Sequence, residues 1–368
     1  MENLEKIFSR FKAKGSFLSG EPYGSGHIHD TFRVISSEHD CHDYILQRLN
    51  NRIFSDIDAL QNNISLVTSH IRRKLLEAGE DDIDRKVLQI IETHEGENYH
   101  IDSTGSYWRM YIFISDHVSY DIVKDEHQAY QGGKAIGRFQ SLLSDLDSTQ
   151  LNETIPYFHD IEKRLEKFYS TLEKDPVGRS EYCRKEIDFV KKRAEEMSLI
   201  LNLGRQGKIP LRTTHNDTKF NNVLLDRNNN ALCVIDLDTV MPGYIHYDFG
   251  DAIRTVANCS SEDERDLKKV KMDIKLFEAY ADGYLSETSN TLNKTELEQL
   301  AFAPRLITFT IGLRFLTDYI DGDNYFKIHR EGHNIDRART QFRLVESNED
   351  QYEEMVKIIN RLISGYKD

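Results

Sequence analysis

The alternation of apolar and polar positions divides the chain into a β-rich first third and a helical remainder. Residues 3–13 read as a short amphipathic helix, and 19–35 as a glycine-bearing turn that runs into an alternating strand. A second strand follows over 43–49. Ile57, Leu60, Ile64, Val67 and Ile71 then keep helical spacing within 52–78 and predict the helix that packs the small sheet. Residues 87–91 and 107–114 read as further strands, with Gly105 in the turn between them. From there the period becomes helical over 126–146, 161–172 and 181–203, with breaks at Pro156, Pro176 and Pro210. Gly132, Gly133 and Gly137 lie inside the first of these helices and point to close helix packing. An apolar helix begins near Phe302, and its apolar run from Leu306 to Leu316 carries one arginine, Arg314. The pattern predicts an α+β protein of two lobes, a small antiparallel sheet with a helix over 1–115 and a larger, mostly helical lobe over 116–368.

The helical part is interrupted once, by Val223-Leu224-Leu225 and the apolar run 231–235. These runs are short, β-prone and separated by Asp226-Arg227-Asn228-Asn229-Asn230, so they predict a hairpin with its turn at that tip. The hairpin brings two polar turns together. One holds His215-Asn216-Asp217 and, five residues after the Asp, Asn222; the other holds Asp236 and Asp238. Phosphoryl transfer from ATP needs this combination. One carboxylate orients the attacking hydroxyl, while a second carboxylate and an amide oxygen hold Mg²⁺ on the phosphates. The offsets match the kinase pattern H-R-D-x-x-x-x-N with Asn216 in place of Arg. Asp217 is therefore the expected catalytic base, and Asn222 and Asp236 the metal ligands. Asp238 would add a contact behind them or take a further metal ion.

The first lobe supplies candidates for the nucleotide. Gly24 and Gly26, with Ser25 between them, would let the backbone close over phosphates. The strand over 43–49 is where a kinase places its phosphate-pairing lysine, and none is present. Arg48 could supply the charge and Gln47 a weaker donor, and the two point to opposite faces of the strand. The chain around Phe113, within 112–115, would form the hinge whose backbone reads adenine. Asp248-Phe249-Gly250-Asp251 has two readings: the segment caps a helix starting near Asp251, or, as only a family resemblance implies, one of its carboxylates holds the backbone of the catalytic turn. It comes too late in the chain to be the metal turn.

The H-N-D-x-x-x-x-N turn followed by V-I-D-L-D resembles the catalytic and metal-binding segments of the aminoglycoside phosphotransferase and choline kinase superfamily, small-molecule relatives of the protein kinases. Within it, IDLDTVMPGYIHYDFGDAIRT, YGSGHIHDTF and GLRFLTDYIDGDNYFKIHREGHNIDRARTQ are similar to the N-acetylhexosamine 1-kinases. The resemblance implies a bilobal protein-kinase-like fold and transfer of the ATP γ-phosphoryl to the C1 hydroxyl of GlcNAc or GalNAc. It also implies Arg314 and Tyr325 as substrate contacts, with Asp323 and His29 as further ones. Arg314 within an apolar helix is costly unless Asp318 pairs with it or it reaches into the cleft. Other small alcohols of choline, homoserine or aminoglycoside type, and a non-catalytic ATP-binding regulator, are the competing readings.

Composition narrows the picture further. A formal net charge of −14 argues against nucleic acid or anionic membranes as partners. Cys41, Cys183, Cys233 and Cys259 are widely spaced and form no C-x-x-C, which suits a reducing cytoplasm better than a disulfide framework. The start of the chain lacks the apolar core of a signal peptide, and no apolar run is expected to cross a membrane.

Overall fold

The computed structural model describes residues 3–24, 28–37 and 42–367. The first lobe is a six-stranded antiparallel sheet: β1 (Phe17–Pro22), β2 (Asp30–Ser36), β3 (Tyr44–Arg48), β4 (Ile90–Ile91), β5 (His100–Ile101) and β6 (Tyr107–Ile112). The spatial order is β1-β2-β3-β6-β4, with β5 also on β6. The alternation predicts β2, β3 and β6 well. It misses β1, because Gly20 and Pro22 make a strand look like a turn, and it lengthens β4. The opening helix is only α1 (Leu4–Phe8), since Phe11 leaves it to form a bridge with Thr93. α1 covers the outer face of the sheet, where Ile7, Phe8 and Phe11 pack with Val34, Leu46, Trp108 and Met110.

The helix predicted to pack the sheet has a wider role. α2 (Ile57–Glu77) is capped by the Asp56 side chain on the Ala59 amide, and α3 (Ile83–Lys86) follows it. The buried stripe of α2 meets Tyr111 of the sheet, but also Phe139, Leu143, Leu237 and Val240 of the second lobe. Asn63, 1% exposed, donates to the Val240 carbonyl at 2.9 Å and ties α2 to the loop after the hairpin. One apolar face thus serves both lobes.

The second lobe contains α4 (Glu126–Leu142), α5 (Ile161–Lys174), α6 (Arg184–Met197), α7 (Leu199–Arg205), α8 (Ile245–Val256), α9 (Ile274–Thr288), α10 (Lys294–Glu298), α11 (Ala303–Asp321), α12 (His333–Asp350) and α13 (Tyr352–Lys367). The helix expected over 181–203 is split at Ser198 into α6 and α7. Two small ribbons sit on this scaffold. One pairs β7 (Arg212–Thr214) with β10 (Met241–Gly243), and the other pairs β8 (Val223–Leu225) with β9 (Ala231–Val234), the predicted hairpin. The stretch Lys294–Asp321 is long and apolar enough to cross a membrane, contrary to expectation, but 83% of its most apolar window is buried inside the fold.

The glycines of α4 do what close packing requires. A Cβ at Gly133 would lie 2.0 Å from the Tyr280 carbonyl oxygen, and one at Gly283 of α9 would lie 2.0 Å from that of Tyr130. The two helices therefore touch backbone to backbone. Gly133→Ala is expected to destabilise the fold by about 2 kcal/mol or more, because neither backbone can yield. A urea unfolding midpoint unchanged from that of the parent chain would contradict this.

Candidate active site

The chain leaves β7 at Thr214 and turns sharply through Asn216, whose φ of +65° lies in the left-handed region that Asn tolerates. A buried carboxylate holds this turn. Asp248 of α8 accepts the backbone amides of His215 at 2.9 Å and Asn216 at 2.7 Å, and the Gln140 side chain of α4 at 2.7 Å. The Tyr284 hydroxyl of α9 donates in turn to Gln140. Burial pushes the Asp248 carboxyl up, and its N–H donors pull it back. α8 starts at Ile245, so the reading of this segment as a cap for a helix near Asp251 is corrected. Asp251 instead pairs with Arg254 inside the helix, with Nη2 at 2.8 Å.

His215 closes the other side. Its Nδ1 accepts the Asp217 amide at 3.2 Å, so the ring proton sits on Nε2 and is donated to the Ile235 carbonyl at 2.8 Å. The ring thereby joins the catalytic turn to the residue before Asp236. The Ile235 amide also donates to the Asn222 carbonyl at 2.9 Å. Asn222 Nδ2 reaches the Asp217 carbonyl at 2.8 Å and its carboxylate at 3.3 Å. Asp217, Asn222 and Asp236 are therefore brought to one place, as the spacing predicts.

Their charges differ. Burial pushes Asp217 up, but Lys219, 2.9 Å from its carboxylate, holds it below the usual range, helped by Arg254. Lys219 was not among the expected site residues, although the Lys two positions after the Asp in H-N-D-T-K was a readable signal. Asp236 sits at φ +61° and is exposed at the surface. Desolvation, then the neighbouring Asp238 and Asp217 carboxylates, push it up to about 7. A divalent cation would relieve that crowding. Asn222 donates through its nitrogen and so turns an amide oxygen free for a metal, giving two protein donors. Among the described residues no set of three or more His, Cys, Asp or Glu side chains is arranged as a metal site. Two donors suit Mg²⁺, which is usually completed by phosphate and water oxygens.

Asp238 is not available as a ligand. Both of its oxygens are taken by Arg109, which also reaches it at 2.7 Å through Nη2, and by His29 Nε2 at 2.8 Å. His29 is accordingly buried behind the metal turn and does not face a substrate. Burial pushes the Asp238 carboxyl up, and Arg109 and His29 overcome this and hold it well below the carboxylate range. The small-lobe choice between Arg48 and Gln47 also resolves. Arg48 points outward and pairs with Asp30, so its expected phosphate role is corrected, while Gln47 faces inward and accepts Arg109 Nε at 2.9 Å. Arg109 carried no signal in the sequence beyond being one polar residue in an apolar strand.

On the nucleotide side, Gly24 has φ +79° with open space around it, and Ser25 and Gly26 lie outside the described residues. The Phe113 amide is spent on the Asp43 carbonyl at 2.8 Å, so it does not serve as an adenine donor. The Phe113 ring is packed by Tyr23, Arg33 and His117. On the acceptor side, Asp318 caps the loop after α11 by accepting the amides of Asn324, Tyr325 and Phe326, and does not pair with Arg314. Arg314 lies among the rings of Phe158, Tyr325 and Phe326 at 5.2, 5.6 and 5.4 Å, and reaches the Tyr325 hydroxyl at 3.4 Å. The adjacent His159 donates to the Asn216 carbonyl at 2.9 Å, which sets this cluster beside the catalytic turn. Asp323 is held by Arg179 at 2.6 Å and Asn334 at 2.8 Å, so it braces the loop and is corrected as a substrate contact.

A profile described as the phosphotransferase enzyme family matches residues 19–289. Among solved structures, an aminoglycoside phosphotransferase from Alicyclobacillus acidocaldarius superposes with a TM-score of 0.64 at 11% identity, covering 99% of this chain and 97% of its own. The microcompartment-associated aminopropanol kinase gives 0.58 at 12% identity, covering 96% and 97%. A Plasmodium vivax ethanolamine kinase gives 0.53 at 12% identity, covering 88% and 82%. The small antiparallel-sheet lobe and larger helical lobe are thus the protein-kinase-like fold of these enzymes.

Two buried imidazoles make the fold sensitive to acid. Burial pushes His159, beside the catalytic turn, and His246 of α8 down to about 4. Between roughly pH 6.5 and 4 the unfolded chain binds protons that the folded chain refuses, so stability falls as pH drops through that window. The urea midpoint is expected to decrease from pH 7 to pH 5, and His246→Gln to flatten the decrease. Asp236, pushed up to about 7, acts with the opposite sign in this window in both proteins, so the parent and His246→Gln are compared directly: an equal pH dependence in the two would show that His246 does not contribute.

Proposed function

Because the chain belongs to the phosphotransferase enzyme family, matched over residues 19–289, we propose that it transfers the ATP γ-phosphoryl to a small alcohol, the C1 hydroxyl of an N-acetylhexosamine. The observation that carries this reading is the convergence of Asp217, Asn222 and Asp236, built by His215 and the Ile235–Asn222 hydrogen bond. Residues 1–115 would hold the nucleotide and 116–368 the acceptor.

Asp217 orients the acceptor hydroxyl and takes its proton as the O–H bond breaks. The acceptor oxygen forms a bond to the γ-phosphorus, the bond to the β-phosphate oxygen breaks, and ADP leaves with that electron pair. Asn222 and Asp236 would hold Mg²⁺, which offsets phosphate charge in the transition state. Lys219 keeps Asp217 ionised until the acceptor arrives. Arg314 and the half-exposed Tyr325 form, with Phe158 and Phe326, an aromatic and cationic wall. That wall suits the ring face and acetyl group of an amino sugar.

Asp217→Asn should keep the fold and ATP binding while kcat falls by about two orders of magnitude or more. Near-normal turnover in the purified variant would remove Asp217 from the chemistry. A panel of N-acetylhexosamines, amino alcohols and aminoglycosides, read as ADP release, tests the acceptor. The product on a hexosamine is expected to show coupling between phosphorus and the anomeric proton in NMR. Turnover on amino alcohols alone would replace the sugar reading with another member of the same family.

A further inference from the structure

The ion pair between Arg109 and Asp238 is almost fully buried. The side chains of Arg109, Asp238 and His29 are 2%, 4% and 5% exposed. Burying such a pair seldom stabilises a protein more than apolar side chains of the same volume would. Its value has to come from what it holds in register. On one side it belongs to the sheet: Arg109 is on β6, its Nε bonded to Gln47 directly across from it on β3. His29, just before β2, accepts the Asn50 amide on Nδ1 at 3.0 Å, which puts its proton on Nε2 for donation to Asp238.

On the other side it belongs to the metal turn. Asp238 is two residues past Asp236, in the single turn Leu237–Thr239, and the backbone of that turn is anchored to the second lobe. The Thr239 carbonyl accepts Asn216 Nδ2 at 3.0 Å, and the Asp238 carbonyl accepts the Thr154 hydroxyl at 3.2 Å. The side chain of Asp238 crosses to the sheet while its backbone stays with the catalytic turn. Asp238 thus joins the two lobes two residues from Asp236.

We propose that Arg109 is the positioning residue of the small lobe, which fixes the Asp236 turn beneath the sheet through Asp238 and thereby sets how MgATP is held. The strand opposite, β3, has no lysine, and its inward residue Gln47 serves as a tether for the neighbouring strand's guanidinium. The cation has moved one strand over, and its carboxylate partner comes from the metal turn. Arg109 acts through Asp238 and Asp236 and takes no part in bond making. This inference rests on the phosphotransferase reading.

Calorimetric titration of MgATP at several Mg²⁺ concentrations, without acceptor, tests it, together with steady-state kinetics. Two variants are used. Arg109→Lys keeps the charge and loses the two-pronged geometry. Arg109→Met/Asp238→Leu removes both charges together, so no buried charge is left unpaired, while His29 Nε2 and Gln47 Oε1 each lose one hydrogen bond. Both are expected to fold, by circular dichroism, and to bind MgATP about tenfold more weakly, with a requirement for more Mg²⁺. Acceptor KM should stay within about twofold while kcat falls. Either variant folding with the parent Kd and Mg²⁺ dependence overturns the proposal. If neither folds, the pair is structural and the proposal fails as well. A parent chain that binds MgATP but phosphorylates no acceptor would instead defeat the kinase reading, and the binding arm would still report on Arg109.

Discussion

The hydrogen bonds from the His215 and Asn216 amides to the buried Asp248 carboxylate are what the rest of the site depends on. Asn216 is held in the left-handed region, so the turn needs an external restraint to stay there. That restraint is itself supported from behind, through Gln140 of α4 and Tyr284 of α9. A tenfold change in an equilibrium needs only about 1.4 kcal/mol, and a charged hydrogen bond is worth about 1.5–3 kcal/mol. One misplaced donor in this chain would therefore be felt at Asp217. The scaffold under the site is a relay of buried polar groups, each fixed by helices that are themselves fixed by contact.

Charge is arranged differently on the two sides of the cleft. Near Asp217 two carboxylates have a cation in contact: Lys219 for Asp217 and Arg254 for Asp251. Among the described residues Asp236, one hairpin away, has no cation in contact, and it is crowded by two other carboxylates. The contrast separates a group kept ionised by the protein from one that a ligand must neutralise.

Much of this was legible in the sequence, and the parts that were not share a cause. The catalytic turn, Asn222 and Asp236 are related by short offsets and one hairpin, whose strands and tip have plain local signals. The Arg48 error came from a question of strand face, which depends on the pairing Gln47↔Arg109 that no local pattern reveals. Arg109 and Asp238 meet across 129 positions, so neither residue announces the other. α9 carries a readable stripe, Phe277, Tyr280, Ala281, Tyr284 and Leu285 at i, i+3, i+4, i+7 and i+8, so its absence from the predicted elements has no cause in packing. Asp323 and His29 are expected as substrate contacts only through the family resemblance. Packing gave each a structural partner.

The backbone contact between α4 and α9 has one more consequence. Where side chains separate two helices, substitution can widen or narrow the gap, and families drift apart in shape by that route. Here the spacing is set by peptide atoms at Gly133 and Gly283, so it is fixed by bond lengths and van der Waals radii. The floor that carries Gln140 and Tyr284 is thus a ruler that mutation cannot easily recalibrate. Divergence in what the enzyme accepts has to be written into the loops above it.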